Sequence, residues 1–575
     1  MHDTVPSFTS TEGIEVKVAH EVTLEAAPML ELTDEALLHW EMASQDKRKR
    51  AIIHSPLAPG VVTQIPGREE APGEDAVLTD YSNSRPLLAY TKDQFTTRKV
   101  SEMLDAYAPP ASGKPASKLS CDDDFGSGLV KRWRDTKQEW CSAVGQASRD
   151  ASGGGRAGGS TLTCYFIKQT EHGGDGDNLC VLENMSIDLS AFSDESVTKK
   201  VMNDYKSSSH NDEAYIHFGK GTVQAQCKMD TTNYNQNKFP GWNADWLYTG
   251  LDYSEQPHDR LACQVWEDTP TLIIQRDTFA NMYHDTEDFV NAFLALAILE
   301  LPLKNVQVFL TDLYPWGPFE AIWRQAFGFG NAALTAWEVK DKYGGKRVCF
   351  KQAIVGVYGP ASPFCIMATD TGCQSSPLMR AYSDFVTRGM DLARYTYNVH
   401  KKPSPVVVIN WMARRSSVKW PERTFCDEHY FKCNLFQHLK ERSLSRVVTN
   451  DKECVQHLKK VAEDTKVDGK VLFFIDADYN LLPFEMQMRY NLMTDILIGP
   501  HGAGLTHQMF LPDRARVIEL FVDGSSANRH FHNMARWRGR SGDMYQGVDI
   551  ENPVPLKKVE DLVVGAVRKL AVDKY

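Results

Sequence analysis

A glycine-rich turn between two apolar segments has the clearest capacity for chemistry in this sequence. Residues 496–520 begin with the apolar run Ile496–Ile498, break at the letters GPHGAG, and continue through Leu505–Leu511 to Arg516–Phe521. We predict a strand, a turn, a short helix and a second strand. The free N–H groups and the positive dipole end at the start of such a helix favour an anion, above all a phosphate.

The ligand contacts predicted for this turn combine backbone amides with side-chain donors. Glycines at two positions would let a ligand approach the backbone closely, because they carry no Cβ. The predicted ligand-binding residues are His501, Gly502, Ala503, Gly504, Leu505 and Thr506. A plain strand-to-helix turn with two glycines is the alternative.

Two arginines and one acidic residue extend the prediction to a nucleotide. Arg414 and Arg415 follow the apolar segment that starts at Val406, and guanidinium groups can pair with two phosphate oxygens at once. Glu519 lies in the strand after the turn, where a carboxylate can accept hydrogen bonds from ribose hydroxyls. A solvated basic turn is the alternative for the arginines, and Arg536 is a further candidate for the pocket.

An imidazole and a carboxylate four residues apart supply a candidate general base. His284 and Asp288 precede the apolar segment AFLALAILEL, and Asn281 is a plausible N-cap for the helix. Residues four apart share one face of a helix, and an imidazole beside a carboxylate can accept a proton from a hydroxyl. A histidine that merely caps the helix or packs on the sheet is the alternative.

A further pair of carboxylates, Asp476 and Asp478, follows the predicted strand Val471–Ile475. Two carboxylates at such a position can hold a divalent ion on a nucleotide diphosphate. Strand ends also commonly carry Asp without any metal, so this pair leaves a metal-dependent reaction as an alternative.

The letters HGAGLTH followed by FLPDRARVIEL resemble the signature of glycosyltransferase family 61. Residues 281–288 and 406–415 are similar to two further motifs of that family. The resemblance implies an inverting, metal-independent enzyme without a cofactor, which moves GlcNAc or xylose from a UDP-sugar to a hydroxyl of a glycoprotein or glycan. It makes Asp288 or His284 the base and assigns the donor to Arg414, Arg415, Glu519 and the residues of the turn.

Two other functions remain open at this point. One is a metal-dependent glycosyltransferase that uses Asp476 and Asp478. The other is a non-catalytic relative that binds a nucleotide or a glycan. The insertion at residues 417–433 departs from shorter family members, so the sequence does not decide which arginine contacts the diphosphate.

The strands and helices that must position these residues follow a pattern that indicates an α/β protein. From Val406 onwards, apolar strands alternate with helical segments, which indicates a parallel, doubly wound sheet. The predicted strands are Val406–Asn410, Ser445–Thr449, Val471–Ile475, Asp495–Ile498 and Val517–Phe521.

Together with the resemblance, this pattern predicts two Rossmann-like domains that face a cleft, the GT-B arrangement. Residues 160–402 would form the acceptor-side domain, and residues 403–575 would bind the nucleotide sugar. Residues 1–110 combine prolines and glycines with charged residues, so we predict a flexible extension or stem there.

Length and charge exclude some classes of protein. With 575 residues the chain exceeds what one core usually holds, and its net charge of −11 argues against a nucleic-acid-binding protein. We find neither a membrane-spanning apolar run nor a signal peptide, so membrane attachment would need an anchor not visible here. Twelve cysteines without a CxxC pair suit an oxidising compartment, and the resemblance implies the ER or Golgi lumen.

Overall fold

The computed structural model of this chain describes most of the sequence from residue 85 onwards. The described residues are 85–107, 121–144, 159–167, 177–190, 218–234, 245–255, 261, 263–314, 316–328, 332–356, 362–365, 371–393, 406–415, 446–479, 482–524 and 526–572. Residues 1–84 and 108–110 of the extension predicted over residues 1–110, and the boundary predicted after residue 402, lie outside them and stay predictions.

Residues 85–107 fold into short helices that pack into the core. Helix α1 (Lys92–Thr97) starts with a capping box, in which the side chains of Thr91 and Gln94 each accept a hydrogen bond from the other's backbone N–H. Helix α2 (Val100–Asp105) buries three apolar side chains completely. The predicted flexible extension therefore does not hold for residues 85–107. Two more helices follow, α3 (Cys121–Phe125) and α4 (Ser127–Asp135).

The first sheet has ten strands and mixes parallel with antiparallel pairs. Its first four strands are β1 (Gln138–Ala143), β2 (Thr161–Ile167), β3 (Asp177–Asp188) and β4 (Val223–Met229). They form a closed ring of antiparallel pairs, β1–β2, β2–β3, β3–β4 and β4–β1.

The remaining strands of this sheet extend it on both sides of the ring. In chain order the elements are α5 (Asp245–Gly250), β5 (Leu251–Ser254), β6 (Val265–Glu267), β7 (Thr271–Ile274), α6 (Met282–Leu299), β8 (Gln307–Leu310), β9 (Ala333–Leu334), α7 (Ala336–Tyr343), β10 (Arg347–Gly356) and α8 (Pro377–Gly389). Strand β10 connects the ring to β6–β9, because it runs antiparallel to β3 and parallel to β6 and β7, whereas β5 pairs with β4. A 3₁₀ helix at Leu303–Asn305 and a π-helix at Ile322–Phe327 flank β8.

The predicted fold class, two Rossmann-like domains in a GT-B arrangement, is wrong. A Rossmann-like domain needs a mostly parallel sheet with helices on both faces between successive strands. Here β1 to β4 are antiparallel and close on themselves, and two disulfides, Cys141–Cys227 and Cys164–Cys180, join strands within the ring. Parallel strands alternate with helices in the C-terminal sheet and from β7 to β10, but not in the ring of β1 to β4.

The second sheet has five strands, all parallel, in the order β12-β11-β13-β14-β15. In chain order its elements are β11 (Val406–Ala413), α9 (Asp451–Asp464), β12 (Val471–Asp478), α10 (Phe484–Met493), β13 (Ile496–Pro500), a 3₁₀ helix (Ala503–Phe510), β14 (Arg516–Phe521), α11 (His530–Trp537), β15 (Tyr545–Asp549) and α12 (Leu556–Val572). A one-turn 3₁₀ helix, Gly542–Met544, precedes β15.

One strand predicted for this sheet is misplaced. Residues 446–449 of the segment expected at Ser445–Thr449 form no strand, and the fifth strand is β15 instead. Val448 is buried in a turn that leads into α9, so its apolar character reflects packing. Strand β15 lies at the sheet edge and is half exposed, so it lacks the apolar run that would have revealed it.

Helix α6 is buried on every side except at one residue. From Met282 to Ile298 all side chains are buried apart from His284, whose side chain is 29% exposed. Phe289 of this helix belongs to the same apolar cluster as Leu505 and Met509 of the 3₁₀ helix after β13. The start of α6 and the glycine-rich turn are therefore tied together through one core.

Four disulfides link the described cysteines: Cys121–Cys373, Cys141–Cys227, Cys164–Cys180 and Cys263–Cys349. Cys365 and Cys454 are free thiols, and Cys426 and Cys433 lie outside the described residues. The four bonds fit an oxidising compartment. Within the described ranges, no helix has the length and apolar character needed to cross a membrane.

Candidate functional site

The glycine-rich turn forms the predicted strand, turn and helix. Strand β13 ends at Pro500, and the 3₁₀ helix starts at Ala503 with Gly502 in the N-cap position. No side chain caps this helix start, so its first amides lack the usual side-chain acceptor. The turn at the carboxyl end of β13 is thus able to receive an anion.

Arg414 lies directly against the turn. A Cβ added at Gly502 would be 2.5 Å from Arg414 Nη1, so the glycine makes room for the guanidinium group. Arg414 follows β11, which is the sheet neighbour of β13. The packing of a cation against a helix start without a side-chain cap creates a local positive site in a chain of net charge −11.

Arg415 is held by two carboxylates instead. Its Nε donates to Asp451 Oδ2 at 2.8 Å and its Nη2 donates to Asp476 Oδ1 at 2.6 Å. Burial raises the pKa of Asp476, although the charge of Arg415 opposes that change. Asp476 of the alternative metal pair is therefore engaged in an ion pair, and its partner Asp478 is buried.

His501 is fixed by Glu519, which is fully buried. Its Nδ1 hydrogen-bonds Glu519 Oε1, and the hydroxyl of Tyr545 donates to Glu519 Oε2. Burial raises the pKa of Tyr545, and the charge of Glu519 raises it further, so the phenol keeps its proton and donates. Both oxygens of Glu519 are occupied within the protein, which differs from the ribose contact predicted for it.

The other predicted residues of the turn differ in exposure. Ala503 and Gly504 are half-buried, whereas Leu505 and Thr506 are fully buried. Arg536, the further candidate, donates to the backbone carbonyl of Gly372 at 3.4 Å and so holds a neighbouring loop.

The start of α6 presents an imidazole between two carboxylates. Asn281 is the N-cap, as predicted, because its side chain accepts from the N–H of Tyr283. His284 Nδ1 lies 3.1 Å from Asp277 Oδ2 and 2.9 Å from Glu287 Oε2. Burial lowers the pKa of His284, but its hydrogen bonds to Asp277 and Glu287 outweigh burial and raise it to about 10.

Asp288, predicted as the partner of His284, has another contact. It is 3% exposed, and its Oδ2 accepts the backbone N–H of Asp277 at 2.9 Å. Burial raises the pKa of Asp288, and the charge of Asp277 raises it further. Asp288 therefore supports the segment that carries Asp277, while Glu287 is the helix carboxylate beside the imidazole.

Three of these groups could also hold a cation. Potential ligand atoms of Asp277, His284 and Glu287 lie within 4.8 Å of one another. Among the described residues, no other set of three histidine, cysteine or acidic side chains meets that condition. One nitrogen and carboxylate oxygens suit a divalent transition metal.

Three aromatic ring contacts connect the region of His284 with that of His501. The ring of Tyr283 lies 5.3 Å from that of His284 and 4.4 Å from that of His530. Phe531, next to His530 on α11, lies 5.1 Å from the ring of His501. His284 and His501 therefore belong to one region of the molecule.

Sequence reasoning missed four residues of this region: Asp277, Glu287, His530 and Tyr545. Glu287 follows His284 by three residues, a spacing that also places two side chains on one helical face. The remaining three come from other elements, and no local spacing could have connected them to the histidines.

Comparison with known proteins supports the resemblance that the glycine-rich turn suggested. Residues 366–518 match the family model described as Glycosyltransferase 61. This region contains both arginines and the turn, whereas His284 precedes it.

The similar proteins are EGF domain-specific O-linked N-acetylglucosamine transferases. The one from Drosophila melanogaster is 28% identical over 335 residues, which are 56% of this chain and 55% of the relative. Those from Gallus gallus and Bos taurus are 27% and 28% identical, again over 56% of this chain and over 53% and 54% of their own lengths. The chain spans about half the length of the curated relatives it matches. These matches confirm the resemblance to glycosyltransferase family 61.

Proposed function

We propose that this chain, whose residues 366–518 match glycosyltransferase family 61, is a glycosyltransferase that moves a sugar from a UDP-sugar to a hydroxyl of a glycoprotein or glycan. The observation that carries the proposal is the guanidinium of Arg414 against Gly502 at an uncapped helix start. Together with His501, these groups are suited to a diphosphate, and the pyrophosphate is the charged part of a UDP-sugar.

In the proposed reaction, the acceptor hydroxyl displaces UDP in one step with inversion at the anomeric carbon. Charge grows on the leaving diphosphate, and donors that are already in place stabilise that charge. Arg414, His501 and the amides of Gly502, Ala503 and Gly504 have this role, whereas the N–H of Leu505 donates to the carbonyl of Gly502. Arg415 acts indirectly, because Asp451 and Asp476 hold its guanidinium.

His284 is the better candidate for the base of the two that the sequence offered. Its side chain is the exposed one on an otherwise buried helix start, whereas Asp288 is buried and bonded to backbone. With Nδ1 held by Asp277 and Glu287, the remaining nitrogen can take the proton of the acceptor. The two carboxylates would then stabilise the imidazolium that forms.

The relatives' names guide the choice of substrates. Because they specify EGF domains and N-acetylglucosamine, we propose UDP-GlcNAc as the first donor and an EGF domain as the first acceptor to test, with UDP-xylose as the second donor. The four disulfides and the relatives suggest the lumen of the secretory pathway, and within it we propose the ER or the Golgi.

The test is an assay of the purified protein with a panel of UDP-sugars, with and without an EGF domain. Transfer or slow donor hydrolysis with UDP-GlcNAc or UDP-xylose is the expected result, and it would disappear in Arg414→Ala. UDP binding without any turnover would favour the non-catalytic alternative.

A parallel series with EDTA tests metal independence. We propose that activity survives chelation, since cationic side chains and amides can neutralise the diphosphate. Loss of activity, with recovery on addition of Mn²⁺, would favour a metal-dependent reaction. The variants Glu287→Gln and Asp476→Asn would then show which of the two carboxylate sites binds the metal.

A further inference from the structure

His530 lies between the two histidines of the proposed site. It is the first residue of α11 and is 8% exposed. Its ring meets Tyr283 edge-on at 4.4 Å, and Tyr283 is also in ring contact with His284. Its neighbour Phe531 contacts the ring of His501. A ligand that extends from His501 to His284 would therefore pass His530.

Among the described residues, the Nδ1 atom of His530 has no hydrogen-bond partner, whereas the Nδ1 atoms of His284 and His501 each have one. Within the described part of the chain, nothing forms a hydrogen bond with its buried Nδ1. The Nδ1 atoms of His284 and His501 are each held by buried carboxylates. Buried polar atoms are nearly always hydrogen-bonded, because an unpaired one loses its interaction with water. The missing partner of His530 is therefore best supplied by a ligand.

The electrostatic surroundings decide what kind of ligand group fits. Burial lowers the pKa of His530 to about 3, with further lowering by the charges of His501 and His284. The ring is therefore neutral at physiological pH, with one N–H donor and one acceptor nitrogen. A hydroxyl or an amide matches that pair, whereas a phosphate needs donors or cations, which Arg414 and the turn already provide.

We propose that His530 binds an uncharged polar substituent, a hydroxyl or an N-acetyl amide, of the sugar that is transferred. The inference rests on the proposed function, in which the diphosphate lies at Gly502 and the acceptor lies at His284. The transferred sugar must then occupy the space between them. His530 is in that case a residue that determines which sugar the protein accepts.

The test compares the binding of UDP with the binding of UDP-sugars by calorimetry in the full-length protein. In His530→Ala, the affinity for UDP should stay within about twofold, while the affinity for the accepted UDP-sugar should fall about tenfold, as expected for the loss of one buried hydrogen bond. UDP-GlcNAc, UDP-glucose and UDP-xylose distinguish an amide contact from a hydroxyl contact. His457→Ala is the control, because His457 pairs with Glu560 between α9 and α12 and should leave both affinities unchanged.

The possible outcomes separate this inference from the proposed function. If His530→Ala lowers the affinities for UDP and for the UDP-sugar equally, or lowers neither, the role of His530 is overturned. No UDP binding by the unaltered protein would overturn the proposed function and the inference with it. If His530→Ala does not fold, His530→Asn replaces it, because Asn keeps a polar side chain. A ratio of kcat/KM between two UDP-sugars that differs from that of the unaltered protein would support the role of His530, and an unchanged ratio would overturn it.

Discussion

At the scale of single residues, two imidazoles are anchored in the same way. The Nδ1 atom of His284 lies between Asp277 and Glu287, and that of His501 is bonded to Glu519. A carboxylate on one ring nitrogen fixes the orientation of the ring and leaves the other nitrogen for a ligand. The anchoring carboxylates are buried, so their effect on the reaction would be exerted through the histidines.

We predict that Glu519→Gln lowers kcat/KM about 10–100-fold, the range typical of residues that orient a functional side chain. The amide is similar in size but carries no charge to hold His501 and accept from Tyr545. Steady-state kinetics and thermal unfolding together would check this prediction. Glu560→Gln makes the same change in the His457–Glu560 contact between α9 and α12, and we expect it to leave kcat/KM unchanged. An unchanged kcat/KM in Glu519→Gln would refute the role of Glu519.

The raised pKa of His284 predicts opposite effects of pH on stability and on activity. Because its pKa in the folded protein is raised from 6.5 to about 10, the protonated ring stabilises the fold fully below about pH 6.5. That contribution is lost as pH rises towards 10. The base, however, is the neutral ring, so kcat/KM should increase over the same interval.

Measurements of kcat/KM and urea unfolding between pH 6 and pH 10 would check that activity rises while stability falls. His284→Gln should flatten the pH dependence of stability in this interval and remove most of the activity. A wild-type kcat/KM that decreases from pH 7 to pH 9.5 would contradict the role of His284 as the base.

At the scale of elements, the site depends on how two neighbouring strands end. Strands β11 and β13 are parallel neighbours, so Arg414 and the glycine-rich turn emerge at one edge of the sheet. The absence of a Cβ at Gly502 lets the guanidinium approach the turn. The arginine and the helix start therefore act as one anion-binding unit.

We predict that Gly502→Ala weakens UDP binding about tenfold, since the new methyl group would meet Arg414 Nη1 at 2.5 Å and displace it from a charge-assisted contact. The fold should survive, because the atom it meets is the mobile end of a long side chain. Calorimetric titration with UDP is the measurement. Gly565→Ala on α12 has no atom within 4 Å of the new Cβ and serves as the control. Unchanged UDP affinity in Gly502→Ala would contradict this arrangement.

At the scale of the whole molecule, a buried charge cluster attaches residues 85–107 to the core. Arg85 donates to Asp384 on α8 through Nη2 at 2.6 Å and through Nε at 2.9 Å, and Tyr107 donates to the same carboxylate. Arg538, which follows α11, lies 3.9 Å from Asp384. The N-terminal helices are thereby joined to elements that surround the proposed site.

We predict that Arg85→Ala lowers the free energy of unfolding by about 3–5 kcal/mol, because it leaves the buried carboxylate of Asp384 without its main partner. Lys99→Ala removes the exposed pair with Glu300 and should cost about 0–1 kcal/mol. Urea unfolding of both variants would measure the difference. A cost of Arg85→Ala as small as that of Lys99→Ala would contradict the stabilising role of the Arg85–Asp384 pair.

The sequence by itself determined the elements whose pattern is local. Strands β13 and β14, the N-cap Asn281 and the buried helix α6 follow from apolar runs, spacing and capping chemistry. The glycine-rich turn and its similarity to glycosyltransferase family 61 were visible for the same reason, since all their residues are consecutive.

Only the tertiary structure decided which side chains meet. The ring of β1 to β4, the pairing of Arg415 with Asp476, and the contacts of Glu519 with His501 and Tyr545 join residues that are distant in the chain. Long-range pairing depends on the packing of whole elements, and no local periodicity encodes it. The same reason explains why Asp288 looked like the partner of His284, whereas Asp277 and Glu287 hold the imidazole.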